Sequence, residues 1–333
     1  MKFLLSDFWL VPPSGLVWGG AFLLDRLIAD PWGWFHPVQA MGWAIARGTQ
    51  LLLQIARSPR TQRLGGGLLT LLLLVGSYLY AAGAIAACDR VHAWLGMSAR
   101  VILTASCLGA RSLHLAALSI LEPLERGHLE EARTMLGRYV GRDTDALDER
   151  EICRATIETV AENTPDGATA PLLFAAIGGA PLAFAYKALS TLDSMVGYHR
   201  QPYTHFGTIP ARLEDAMTWL PCRLTVFTLA LHRDRPFEFW RRCHIDARRD
   251  PSPNSGWSEA AFAWSLGVRL GGTNLYRGVP RIKPYLGPGK SPLTPATVRA
   301  SLKLMQQTYW TWMGIVLGCY VAKYGLQVFL LGR

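Results

Sequence analysis

The sequence predicts an all-α, polytopic membrane protein with about four transmembrane helices, and three observations carry that prediction. Half of the 333 residues are hydrophobic and only 17% are charged. Four stretches, at about 8–24, 64–88, 101–121 and 309–331, are apolar over roughly the 20 residues a helix needs to cross a bilayer. A fifth apolar stretch lies between two polar clusters and is interrupted by Gly178-Gly179-Ala180-Pro181. Gly suits a helix stop and Pro a first turn, so this stretch reads as a broken or re-entrant helical hairpin. The expectation is one membrane-integrated domain over residues 1–333, with a large helical, cytoplasmic, site-bearing region at about 122–305.

The first stretch, Phe8–Leu24, follows only Lys2 and precedes no small-residue cleavage site, so it reads as a span and not as a cleaved signal peptide. Gly15 and Gly19 offer it a small-residue face for packing against another helix. Next, Asp25, Asp30 and His36 lie beside Trp32 and Trp34, either as an interfacial aromatic belt or as part of a site. Leu64–Cys88 is long and uncharged. Val101–Leu121 carries Arg111 and His114 in its middle. Either these face the protein interior within the membrane, or the helix packs outside it with Arg111 paired to a carboxylate.

Glu122–Glu162 is charged with a helical pattern, and Glu158 and Glu162 share a face four residues apart. Like charges so placed are either solvated or joined by something positive. The hairpin Glu158–Tyr198 follows. Pro210–Leu231 reads as a buried or interfacial segment and His232–Arg249 as a basic one. In Asp250–Ala263 a turn leads to a helix near Trp257, with Ser255 as a candidate cap. Gly267–Gly289 is rich in Gly and Pro and reads as a loop. Tyr309–Leu331 is the last span. With these spans both basic regions, 25–63 and 122–305, fall on one face, which the positive-inside rule makes cytoplasmic.

Composition narrows the function. A net charge of +10 suits anionic lipid or phosphorylated ligands. The Lys and Arg residues form no dense run interleaved with aromatics, so nucleic acid is not an expected partner. The six cysteines contain no C-x-x-C pair and suggest neither a disulfide framework nor a zinc site. Gly289-Lys290-Ser291 resembles the end of a phosphate-binding loop, but its leading Gly would fall on Pro284 and no strand is expected before it.

Two clusters could carry chemistry. Lys187, Ser190, Thr191 and Ser194 recur at i, i+3, i+4 and i+7, a polar stripe able to hold phosphate or to form a seam in a helix bundle. Glu162-Asn163-Thr164-Pro165-Asp166-Gly167 places carboxylates in a Pro/Gly turn. That suits Mg²⁺, which takes one or two carboxylates plus substrate phosphates, and Asp166 could equally cap a helix starting at Gly167.

Several stretches together resemble one family. They are Asp25–Pro31 with His36-Pro37-Val38 and Met41-Gly42, Tyr139–Thr144, Ile157–Gly167, Ala185–Tyr198, Phe206-Gly207 with Ala211–Asp215, and Pro251–Ala263. Their sequence and order are similar to the CbiB/CobD cobalamin-biosynthesis membrane proteins, adenosylcobinamide-phosphate synthases. The loop Lys283–Pro295 and the last helix are less diagnostic. The resemblance implies a multi-pass bacterial inner-membrane ligase with its active region cytoplasmic. It would join adenosylcobyric acid to (R)-1-aminopropan-2-ol phosphate, or a related amino alcohol phosphate, using ATP and Mg²⁺. Membrane lipid and other membrane enzymes of corrinoid synthesis are the further partners implied.

On that reading Glu158, Glu162 and Lys187 are catalytic, with Glu158 as base. Mg²⁺ would be held by Glu162, Asp166 and Asp193. Lys187 and Arg212 would hold phosphate, with Ser190, Thr191 and Ser194 beside them. Asn163 and Asn254 would orient substrate groups, and Asp25, His36 and Arg111 would contribute further substrate contacts. A transporter or a non-catalytic scaffold for corrinoid enzymes is the alternative.

Overall fold

The computed structural model describes residues 15–28, 37–198 and 201–331. They form α1 (Gly15–Ile28), α2 (Pro37–Ile55), α3 (Pro59–Val91), α4 (Ala93–Ala105), α5 (Ala110–Glu125), α6 (Leu129–Leu136) and α7 (Glu149–Thr164). A π-helical turn (Pro165–Thr169) leads into α8 (Ala170–Val196), α9 (Tyr203–Phe206), α10 (Thr208–Leu231), α11 (Pro236–Ala247) and α12 (Ser255–Leu266). A hairpin of β1 (Leu270–Tyr276) and β2 (Val279–Leu286) precedes α13 (Pro295–Leu331). The described residues are thus all-α apart from one hairpin.

Among the described residues three helical stretches are long and apolar enough to cross a membrane: Pro59–Val91, Ala93–Glu125 and Glu149–Val196. The first contains the expected span Leu64–Cys88. The expected Val101–Leu121 is not one continuous helix, because α4 stops at Ala105 and α5 starts at Ala110. There the Ser106 hydroxyl and the Cys107 thiol both turn back to the Leu103 carbonyl, and Gly109 completes the connection. Residues 8–14 of the first expected span lie outside the described residues, as do Asp30, Trp32, Trp34 and His36. The last expected span falls within α13.

The chain divides into two compact units. The first comprises Met1–Gly109, Ala170–Met217 and Met313–Arg333, the second Ala110–Thr169 and Thr218–Trp312.

In the first unit α3 is the central helix, packed against α2, α4, α8 and α9. Its start is fixed by Ser58, which accepts from the Thr61 amide while the Thr61 hydroxyl accepts from the Ser58 amide. This reciprocal pair satisfies two amides that a helix start otherwise leaves open. Ile45, Leu69, Leu192, Val196 and Phe206 form a core. The run Gly65-Gly66-Gly67 brings α3 against α9, and a Cβ on Gly66 would lie 1.9 Å from the Phe206 carbonyl oxygen. Gly66→Ala is therefore expected to cost about 2 kcal/mol through overpacking, read as a lower unfolding midpoint in detergent. Gly76→Ala is the control, since its Cβ meets nothing within 4 Å; equal midpoints for the two variants would refute the close approach. On α1 the packing glycines are Gly15, against Tyr320, and Gly20, against Val101, whereas Gly19 faces open space.

The break expected in α8 is present. Gly178 (φ −132°, ψ 19°) and Gly179 (φ 67°, ψ −167°) leave helical geometry, and Gly179 sits in a region that residues with a Cβ avoid. The chain folds back there. Phe174 and Tyr186 stack with ring centroids 4.7 Å apart, although twelve residues of straight helix would separate them by about 18 Å.

In the second unit α5, α6, α7, α12 and the start of α13 enclose a core that includes Ile120, Leu136, Ile152, Ile157, Phe262 and Val298. The region expected to be loop, Gly267–Gly289, is the β-hairpin. Its two-residue turn is Arg277-Gly278, both with positive φ (53° and 76°), the geometry that matches strand twist. Pro280 and Pro284 sit in β2 of a two-stranded sheet, where every strand is an edge and a missing N–H is tolerated. The hairpin tip is held by Asp143, whose carboxylate accepts the amides of Arg277 (2.9 Å) and Gly278 (2.7 Å). The Gly278 and then the Arg277 hydrogen bond hold its carboxyl below the usual range.

Candidate functional site

The polar groups of the second unit converge where β1 meets α7. Glu158 is 1% exposed, and both of its oxygens are used. Oε1 accepts from Arg154 Nη1 and from the Gly271 amide, each at 2.8 Å, and Oε2 accepts from Arg142 Nη2 at 2.7 Å. The Asn274 side-chain oxygen takes a second N–H from each arginine, at 2.9 Å from Arg142 and 2.8 Å from Arg154. Arg154 also pairs with Glu151. Helix spacing puts Arg154 and Glu158 on one face, while the loop bearing Arg142 and the strand bearing Gly271 and Asn274 close over them. Like charges at Glu158 and Glu162 are thus offset, at Glu158, by two arginines. The role this geometry supports for Glu158 is to hold those guanidiniums and the hairpin.

Beside this cluster lies a second one that the sequence did not single out. Lys283 on β2 pairs with Glu259 on α12, and its Nζ is 3.9 Å from Asp250 Oδ2. Glu259 is fully buried and its second oxygen, Oε2, has no hydrogen-bond partner. Burial pushes its carboxyl up to about 8; Lys283 opposes that shift, while the negative charges of Glu158 and Glu162 add to it. Burial also disfavours the Lys283 ammonium, but Glu259, Glu162 and Asp250 outweigh it and raise its pKa. Glu162 therefore acts electrostatically on the same centre, while being itself exposed. Glu259 lies in the Pro251–Ala263 motif. Lys283 opens the less diagnostic stretch Lys283–Pro295, and no periodic signal marks it.

The other expected residues separate by unit. In the second unit, Asn163 is exposed and donates to its own helix at Thr159. Asp166 is half-buried within the π-helical turn, so no helix starts at Gly167 for it to cap. It is close enough to Cys222 for its charge to act on that thiol. Asn254 immediately precedes α12, which begins at Ser255 and not near Trp257; Ser255 accordingly is not its cap. The Asn254 side-chain oxygen accepts from Arg223 at 2.7 Å, and that guanidinium lies over Trp219 and Trp257, 4.5 and 5.0 Å from the ring centroids. Arg111 lies half-buried on α5, three residues before His114, which bonds Gln306.

In the first unit, Lys187, Ser190, Thr191 and Ser194 are the accessible face of α8, with Ala188, Leu189 and Leu192 buried behind them. Two of the hydroxyls turn to their own helix, Thr191 to the Lys187 carbonyl and Ser194 to that of Thr191. Asp193 is half-buried, Arg212 is exposed on α10, and Asp25 is buried at the end of α1. His36 lies outside the described residues. A strand does precede Gly289-Lys290-Ser291, but the next helix begins only at Pro295, and the amides of Lys290 and Ser291 donate to the Gly267 carbonyl. Among the described residues no three His, Cys, Asp or Glu side chains form a preassembled metal site.

Comparison with known proteins places these features in context. The family described as CobD/Cbib protein matches residues 18–305. The cobalamin biosynthesis protein CobD of Synechocystis is 48% identical, the alignment covering 86% of each chain. CobD of Geobacter metallireducens is 46% identical over 88% of this chain and 92% of its own. The cobalamin biosynthesis protein CbiB of Salmonella arizonae is 40% identical over 87% and 92%. No solved structure matches the chain.

Proposed function

Because the chain belongs to the CobD/CbiB family of cobalamin biosynthesis proteins, we propose that it is a membrane amide ligase. It would join adenosylcobyric acid to an amino alcohol phosphate such as (R)-1-aminopropan-2-ol phosphate, with ATP and Mg²⁺, on the cytoplasmic side of the inner membrane. The observation that carries the reading is the convergence of three motifs in one polar centre: Arg142 from the first, Glu158 and Glu162 from the second, and Glu259 from the third. Elements far apart in sequence supply groups that can bind anions, bind cations and exchange a proton in one place.

Amide formation requires an activated carboxylate and the loss of a proton from the amine. The donor set fits Mg²⁺ as an ion that takes few protein carboxylates and completes its shell with substrate phosphates. Glu162, exposed, and Asp166, one turn further on, would hold it. Bound there, it would neutralise phosphoryl charge. On the first unit taken by itself, the Lys187 stripe and Arg212 would bind phosphate oxygens. The Glu158 cluster keeps Arg142, Arg154 and the hairpin fixed around the substrate.

Purified protein in mild detergent, given adenosylcobyric acid, the amine phosphate, ATP and Mg²⁺, should yield the amide product by mass spectrometry. Glu162→Gln and Lys187→Ala should each reduce product about 100-fold or more with folding intact. Full activity in both variants refutes the site, and no product from folded wild-type protein refutes the ligase.

A further inference from the structure

Three cations meet in the polar centre, and they differ in what they leave free. The side chains of Arg142 and Arg154 are 10% and 4% exposed, and they are turned to Glu158 and Asn274, with Arg154 also on Glu151. Lys283 remains 24% exposed. An ammonium carries three donors. Glu259 takes one, and Asp250 at 3.9 Å is within ion-pair reach but too far for a hydrogen bond. Nζ therefore retains donors that no protein group among the described residues takes up.

Its surroundings keep that ammonium in place and reachable. Lys283 pairs across the hairpin with Gly272, which adds no side chain beside it. Residues two apart on a strand share a face, so Arg281, stacked on Tyr276, lies on the same side and adds a second positive charge. Behind it, Glu259 is buried with one oxygen unpaired, an arrangement that costs stability and that a purely structural pair would not need. A lysine gripped from behind and open in front is a preorganised point charge for an oxyanion.

We propose that Lys283 is a ligand-binding residue that receives a phosphate oxyanion, and that Glu259 is the residue positioning it. Which compound carries the phosphate rests on the ligase reading, and either ATP or the phosphorylated amine supplies the same chemistry. The first test is independent of catalysis: binding of inorganic pyrophosphate to the full-length protein in detergent, measured by calorimetry. Lys283→Ala should weaken it about tenfold or more, and Lys283→Arg should restore most of it. Removing Lys283 alone leaves Glu259 without its cation, so Lys283→Met combined with Glu259→Gln carries the test if the single variant does not fold; it should bind as weakly as Lys283→Ala. In the ligase assay, Lys283→Ala should raise KM about tenfold for one phosphorylated substrate and leave the other unchanged, which identifies the source. Pyrophosphate binding that is absent from wild type, or equal in wild type and the Lys283 variants, overturns the proposal. Lost pyrophosphate binding with no ligation by wild type supports Lys283 and overturns the ligase reading alone.

Discussion

Glu158→Ala should destabilise the second unit by about 3–5 kcal/mol, the usual cost of leaving buried charge without its partner. The variant removes the acceptor for Arg154, Arg142 and the Gly271 amide at once. Asn274 and Glu151 keep some guanidinium hydrogen bonds, but the Gly271 amide loses the Glu158 acceptor. Glu158→Gln keeps one carbonyl oxygen and turns an NH₂ towards an arginine, so an intermediate loss is expected. Glu162→Ala, one helical turn away and exposed, should change stability by no more than about 0.5 kcal/mol while reducing ligation. Unfolding midpoints of the three variants in one detergent measure this directly. A Glu158→Ala midpoint equal to wild type would show that the buried cluster contributes nothing to stability.

Stability should also fall as pH rises from about 4 to 8, with Glu259 as the cause. A glutamate titrates near 4.3 in an unfolded chain, and burial raises Glu259 to about 8 in the folded one. Between those values the folded state binds the extra proton. Its contribution is complete below about 4.3 and is lost as pH climbs to about 8, with a slope of at most about 1.4 kcal/mol per pH unit. Lys283, whose pKa is raised above the usual lysine value, stays charged throughout this window. Glu158, Glu162 and Asp250 are the other carboxylates acting on the centre. Glu259→Gln should flatten the profile and leave the variant more stable than wild type at pH 9, by about 3–5 kcal/mol over the full span. Parallel midpoint-versus-pH curves for wild type and Glu259→Gln would sink this assignment.

Much of the architecture was legible in the sequence because it rests on local rules. Gly178-Gly179 followed by Pro181 encodes a break without help from tertiary structure, and the polar stripe of α8 follows helical periodicity. Leu64–Cys88 is apolar over a full span. The misreadings share a different cause. Gly267–Gly289 looked like loop because Pro280 and Pro284 argue against a strand, and only the two-stranded sheet, in which both strands are edges, permits them. Val101–Leu121 looked continuous because hydropathy does not register side chains that cap a helix from Ser106 and Cys107. In the site, the spacing of Glu158 and Glu162 showed only that they share a face. Their difference is set by Arg142 and Gly271, sixteen and 113 residues away from Glu158. Lys283 gave no signal at all, since its meaning comes from Glu259 and Asp250 across the fold.

The hairpin that closes over Glu158 also sets a schedule. Arg154 and Glu158 leave the ribosome together, but the Gly271 amide follows 113 residues later and the Asn274 side chain later still. At about 5–20 residues per second, the helix carrying a charge pair destined for burial waits on the order of 10 s for its cover. During that interval water must solvate the pair, and α7 cannot dry one of its faces. The strand pair is thus the step that completes the site, and within the second unit only the segment that leads into α13 and the start of that helix follow it.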